Sequence, residues 1–184
     1  MQVNTRMPTP WMYPTVVSQF AEYPDHHVSW ANNTTKFSDR ELDLTLPEYE
    51  VNFIRTEKDL LHISNTAVND LKMKTWYLKF SGFDFRHLPD TISGLEFLIS
   101  VKRVGRIIDD TIQLYTDMPL GDNKATIALD DKKLYGGETD LWGLAEITHS
   151  MLNKQLSIIL RYQSHPTIPH RATPTMEHVQ IRVW

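Results

Sequence analysis

GLEFLISVK, Gly94 to Lys102, alternates with a period of two. Leu95, Phe97, Ile99 and Val101 fall on one face, and Glu96, Ser100 and Lys102 on the other. That repeat is the pattern of a strand with one face on a core and one in water. QLSIILRY repeats it with Leu156, Ile158, Leu160 and Tyr162. EHVQIRVW sets Val179, Ile181 and Val183 against His178, Gln180 and Arg182. TIQLY and TWYLKF alternate less cleanly. Turn-forming stretches separate the runs: SGFDFRHLPD, VGR, MPLGDNK and the proline-rich QSHPTIPHRATPT. AEITHSML alone resembles a helix, about two turns by its length, and TEKDLLHIS is ambiguous. Short antiparallel strands spaced by such turns predict an all-β fold, a jelly-roll-like β-sandwich.

The bulk properties narrow the function classes. A chain of 184 residues fits one domain with an extension, and 41% hydrophobic content is too apolar for a disordered polymer. No apolar run approaches a membrane span, and MQVNTRMPTPWMYP lacks the apolar core of a secretion signal. The expectation is a protein made in a cytoplasm, with no membrane partner. Absence of cysteine removes disulfides, thiolate nucleophiles and zinc ribbons. A net charge of −4 disfavours a nucleic-acid partner, which needs a basic face.

The first 50 residues differ from the rest. They hold no glycine, five of the ten prolines and seven of the nineteen aromatics, with seven acids against three bases. Proline biases the chain toward extended geometry, so helix is not expected over residues 7–25. A free tether would be rich in glycine and serine and poor in aromatics. Residues 1–50 are therefore expected to form an extended assembly arm on a sandwich domain of residues 51–184. Trp11, Tyr13, Phe20, Tyr23 and Trp30 would grip hollows on a partner surface.

LYGGETDLWG, Leu134 to Gly143, puts a tryptophan into the most glycine-rich segment. Gly136 and Gly137 allow a tight reversal after Tyr135, and Asp140 suits an Asx-type turn. Leaving the Trp142 indole in water would forgo several kcal/mol, at ~25 cal/mol per Å2 over ~200 Å2. The expected arrangement is a loop that folds Trp142 over the open end of the sandwich as a plug, beside Leu141 and with Gly143 allowing close backbone approach. The functional alternative is a sugar-stacking tryptophan with Asp140 accepting from a hydroxyl.

The order of segments over residues 76–184 resembles a β-sandwich domain of structural proteins in tailed bacteriophage virions. WYLKFSGFDF, LPDTISGLEFLISVKR, IIDDTIQLY, GDNKA, YGGETDLWGL, QLSIILRY and HVQIRVW carry the resemblance over about 110 residues. The YGG-x-x-DLWG loop, Tyr135 to Gly143, is its most specific part. The final strand departs from that family by ending in Trp184 rather than in tyrosines, and the N-terminal segment has no counterpart. The resemblance implies a non-enzymatic virion component of the tail, neck or capsid surface, without cofactor. Its partners would be portal, tail, neck or capsid subunits and further copies of itself.

No constellation favours catalysis. Asp109–Asp110 and Asp130–Asp131 are adjacent pairs, which point to opposite faces of a strand and cannot share an acid/base cleft. They are expected to be turn acids at strand starts. The eight histidines show no metal-ligand spacing; His165 and His170 share a proline loop. Nucleophile elbows, phosphate loops and calcium loops are absent from the sequence. The alternative function is a carbohydrate-binding module for host-surface adhesion, which an exposed platform of Trp76, Tyr77 and Trp142 would favour.

Overall fold

The computed structural model describes residues 6–20, 30–32, 51–54, 63–65, 74–85, 87–153, 156–164 and 173–184. Among them the chain forms strands β1 (Val16–Phe20), β2 (Trp30–Asn32), β3 (Val51–Ile54), β4 (Ile63–Asn65) and β5 (Tyr77–Ser81). Then come β6 (Leu95–Val104), β7 (Ile107–Tyr115), β8 (Pro119–Leu120) and β9 (Lys132–Gly136). A single described helix, α1 (His149–Asn153), precedes β10 (Ser157–Ser164) and β11 (Thr173–Val183). AEITHSML thus supplies the helix the sequence suggested, one turn later than its first residue.

The strands form two sheets, ordered β3-β1-β5-β10-β7-β8 and β2-β4-β11-β6-β9. Every described pairing is antiparallel, so the fold is all-β. The two sheets share one apolar core. Leu78, Phe80, Ile112, Leu114, Ile158 and Leu160 come from one sheet; Leu95, Phe97, Ile99, Val101, Val179 and Ile181 come from the other. These are the faces that the period-two reading put inside.

The order of strands adds a constraint that periodicity does not carry. Apart from β7 and β8, no two consecutive described strands share a sheet. Each sheet is therefore closed by pairings between residues far apart in sequence, such as Leu95 with Val183 and Val104 with Thr173 in the β6–β11 ladder. Such non-local pairings must be assembled against loop-closure entropy before they repay it.

A bulge decides what faces the core in β7. Tyr162 pairs with Asp109 and Arg161 with Thr111, so Asp110 is an extra residue in the ladder. One extra residue reverses the in/out parity on either side of it. Ile107 and Asp109 then share the inner face with Ile112 and Leu114. Without the bulge, Asp109 would point to solvent. This corrects the expectation of turn acids at a strand start for Asp109–Asp110, both of which lie inside β7. Asp130 and Asp131 do sit in the turn before β9.

The described residues 6–20 of the N-terminal segment form no helix, and they lie on their own chain. The Thr9 amide donates to the Val183 carbonyl at 2.8 Å, and Met12 and Ile181 exchange backbone bonds at 2.7 and 2.9 Å. The chain then crosses to the other sheet. Thr15 Oγ1 donates to the Gly82 carbonyl at 2.7 Å, and β1 inserts between β3 and β5 with Val17 wholly buried. The boundary at 50/51 thus does not separate these residues from the two sheets. Prolines 8, 10 and 14 extend the chain, and extended chain with free amides at Thr9, Met12 and Thr15 is what an open sheet edge pairs with.

The aromatics of this segment follow suit. Arg182 lies over the Trp11 ring at 4.4 Å and the Trp184 ring at 5.0 Å, while Glu96 Oε1 accepts its Nε–H at 2.7 Å. Phe20 stacks on Tyr77 at 5.1 Å. Tyr13 is half-buried. Trp30 opens β2, and Tyr23 lies outside the described residues. Removing residues 1–20 should cost several kcal/mol, lowering the thermal midpoint by on the order of 10 °C at this chain length. A midpoint unchanged in a calorimetric melt of that truncation would contradict the pairing.

Candidate functional site

The segment from Leu134 to Gly143 leaves β9 and closes over one end of the core. Its centre is the Leu95 carbonyl at the start of β6. That oxygen accepts the Gly137 amide at 3.0 Å and the Trp142 indole Nε1–H at 3.1 Å. The Leu95 amide in turn donates to the Asp140 carbonyl at 3.1 Å. The indole is 0% exposed and meets Phe97 edge-on at 5.4 Å. Burying an indole is favourable only if its N–H finds an acceptor, and here it does.

Asp140 closes the turn expected of it. Its Oδ1 accepts the Trp142 amide at 2.7 Å, and its Oδ2 lies 2.8 Å from Lys124 Nζ. Lys124 also sits 5.7 Å from the Trp142 ring centroid. The neighbouring turn locks on from the other side, where the Asp122 amide donates to the Trp142 carbonyl at 2.7 Å. These bonds hold Trp142 at φ 57°, a left-handed conformation that a bulky residue adopts at a cost of ~1–3 kcal/mol. Leu141 is packed at the margin of the core, and its carbonyl accepts the Leu144 amide at 3.0 Å.

The two glycines after Tyr135 have different roles, which corrects the expectation that both shape the loop. Gly136 has φ 85°, and a Cβ there would run into the Leu95 carbonyl oxygen and come within 2.7 Å of the indole nitrogen. Gly137 is not in the left-handed region, and a Cβ there would meet nothing closer than Glu96 Oε2 at 3.9 Å. Gly143 takes the role instead: at φ 75° it passes so close to the Asp122 carboxylate that a Cβ would overlap it.

This geometry is at odds with a sugar site on the same residues. The Trp142 and Tyr77 rings are buried, Trp76 is half-buried, and Asp140 is already occupied by an amide and an ammonium. Nothing in that set forms an open aromatic platform.

A second polar cluster, which the sequence reading missed, lies between the sheets. Asp109 on β7 has a side chain with 0% exposure. Its Oδ1 takes Arg103 at 2.8 Å from β6. Its Oδ2 accepts from the Tyr135 hydroxyl at 2.7 Å, Lys133 Nζ at 3.2 Å and the Thr126 amide at 3.2 Å. Arg103 further donates to the Ile107 and Asp130 carbonyls, and its guanidinium lies 5.5 Å from the Tyr162 ring. Two strands of one sheet, β6 and β9, and the loop before β9 thus converge on one carboxylate of the other sheet. The available signal was IIDDTIQLY, where two acids interrupt an apolar alternation.

Burial alone would raise the Asp109 pKa. The charge and hydrogen bond of Arg103, then Tyr135 and Lys133, more than offset it and hold the carboxyl below its usual range. Lys133 is shifted against its pair: its own burial lowers the ammonium pKa despite Asp109, and Arg103 adds to that. The stabilisation of Asp109 is therefore assigned to Arg103 first. Burial, followed by Tyr162 and Asp109, pushes the Tyr135 phenol up. A carboxylate saturated with donors and shut from water cannot act as base or nucleophile. Its work is to key one sheet to the other.

Asp110, on the opposite face, holds Lys74 at 2.8 Å and Arg161 at 2.6 Å, and burial is again outweighed, so its pKa is lowered too. A cavity of about 230 Å3 lies beside α1, lined by Phe83, Asp84, Phe85, Leu152 and Leu156 among others, and Asp84 is the one acid among its described lining residues. His165 and His170 lie outside the described residues. Among the described residues no group of three or more His, Asp or Glu could hold a metal ion, and no helix is long and apolar enough to cross a membrane.

No protein-family model matches the chain, and no curated protein or solved structure matches it significantly.

Two outcomes follow from the geometry. Trp142→Ala should destabilise the fold by ~3–5 kcal/mol, the range for truncating a buried aromatic, read from denaturant melts. A loss under about half a kcal/mol would contradict the plug. Asp109→Asn should cost ~3–5 kcal/mol, because it strands buried Arg103 and Lys133. The sign of its pH dependence is fixed by the lowered folded pKa. The stabilisation is complete above the ordinary carboxylate pKa of about 4 and is lost as pH falls through the folded value. Melts from pH 7 to pH 3 should show the wild-type protein losing more stability than Asp109→Asn; parallel curves would refute the assignment.

Proposed function

We propose that this chain is a non-enzymatic structural component of a tailed bacteriophage virion. It would be a jelly-roll-like β-sandwich at the tail, neck or capsid surface, working as a rigid block that binds other virion subunits. The observation that carries the reading is how the YGG-x-x-DLWG loop is used. Tyr135 bonds the inter-sheet carboxylate, Gly136 and Trp142 meet at the Leu95 carbonyl, and Asp140 caps the turn. Every distinctive side chain of the segment is consumed by architecture, as a rigid building block requires and a catalytic or binding loop does not.

The Asp109–Asp110 pair supports the same reading, since its two members face opposite ways and each is neutralised by bases. Carbohydrate adhesion is the weaker reading, because two of the three rings it needed, Tyr77 and Trp142, are buried. A virion component must co-purify with particles. Mass spectrometry of particles banded in a density gradient should recover the protein at a fixed ratio to the other virion proteins. Its presence in the lysate but absence from banded particles would overturn the proposal.

A further inference from the structure

Among the described residues β9 and β8 each end the order of a sheet, and the two edges differ. β8 is two residues long and begins with Pro119, which has no amide to offer. β9 has five residues and no proline, and it ends the order of its sheet. Its pairing with β6 fixes which groups face outward. The Gly137 amide reaches Leu95 and the Val101 amide reaches Asp131, so Tyr135 and Lys133 turn their backbone groups inward to β6. Lys132, Leu134 and Gly136 then direct theirs away from it. Among the described residues no backbone bond reaches those groups.

The side chains at this margin are those of an uncovered surface. Leu134 is 56% exposed beside half-buried Leu98, its cross-strand partner. Lys133 holds the Thr126 hydroxyl and the Ala128 carbonyl, which places Ile127 and Leu129 at the same margin, 75% and 44% exposed.

We propose that β9 pairs with β9 of a second copy of this chain, antiparallel about a two-fold axis at Leu134. The register is set by parity: Leu134 opposes Leu134, and Lys132 opposes Gly136, in both directions. All the outward backbone groups of the strand are then paired. Leu98 and Leu134 of the two copies form one apolar row across the seam.

Charge decides for a second copy over an unrelated strand. In this register each Lys132 faces a residue with no side chain, and behind that residue stands Glu96, the cross-strand partner of Gly136. Glu96 gives Oε1 to Arg182, while its Oε2 is turned toward β9, 3.9 Å from where a Gly137 Cβ would be. No hydrogen bond engages that oxygen among the described residues. A lysine crossing Gly136 brings a donor to the oxygen that Arg182 leaves open, and the two-fold repeats the contact. The lysines do not oppose each other, so no like-charge repulsion arises. The pairing stands or falls independently of the virion reading.

The chain has no cysteine, which makes the test clean. Residues opposed in a hydrogen-bonded pair have Cα atoms about 5.5 Å apart, within disulfide reach. Leu134→Cys in the full chain should therefore oxidise to a covalent dimer, whereas Met118→Cys, also exposed, should not. Light scattering should give twice the chain mass for the wild-type protein at high concentration. Lys132→Glu should weaken that dimer roughly tenfold or more, by setting an acid against Glu96. The proposal is overturned if the wild type stays monomeric throughout and Leu134→Cys cross-links no faster than Met118→Cys.

Discussion

One backbone oxygen, that of Leu95, ties the molecule together. It opens β6, the strand that pairs with both β9 and β11, and it receives two donors from the loop that follows β9. A carbonyl has two lone pairs and can serve two donors, and in a dry interior a donor left without an acceptor costs more than a surface bond gains. Here the Gly137 amide and the Trp142 indole occupy both. Gly136 must lack a Cβ for the two to reach it, and Trp142 must accept a strained φ. The Asx turn of Asp140 and the Asp122 amide hold that strain in place. Glycine and tryptophan share one segment because the absence of a side chain at one position makes room for the bulk of the other.

The Asp109 cluster solves a different problem. Two apolar faces pressed together resist separation but not sliding, because hydrophobic burial has no direction. A carboxylate with fixed donors from Arg103, Lys133, Tyr135 and Thr126 does have direction. With consecutive strands in opposite sheets, a slip in one sheet would strain many crossings at once. The bulge at Asp110 sets the parity that lets a charged residue face inward at this one place. Tyr135 joins both devices, since the same strand carries the phenol to Asp109 and the glycine to Leu95.

Period-two alternation made the long strands legible, because each buries one face only: Leu95 to Val101 and Val179 to Val183 are inside as read. The loop chemistry was legible as well, since an Asx turn and a left-handed glycine are local requirements. What was hidden depends on partners distant in sequence. Gly136 and Gly137 look equivalent until Leu95 is placed beside one of them. Asp109 reads as a turn acid until the bulge turns it inward. Residues 9–20 read as an arm for another molecule, because nothing in their own sequence says that β5 and β11 leave edges for them to cover. A stiff aromatic segment implies a surface to lie on, and for residues 9–20 that surface belongs to the same chain.

Hydrogen exchange at the Leu95 node tests most directly whether the loop is part of the core or a movable binding element. If the loop is architecture, the Trp142 indole N–H and the Gly137 amide exchange only through global unfolding, at the rate of the most protected amides of β6 and β11. Fast local exchange at Trp142 and Gly137, with β6 and β11 still protected, would contradict the account.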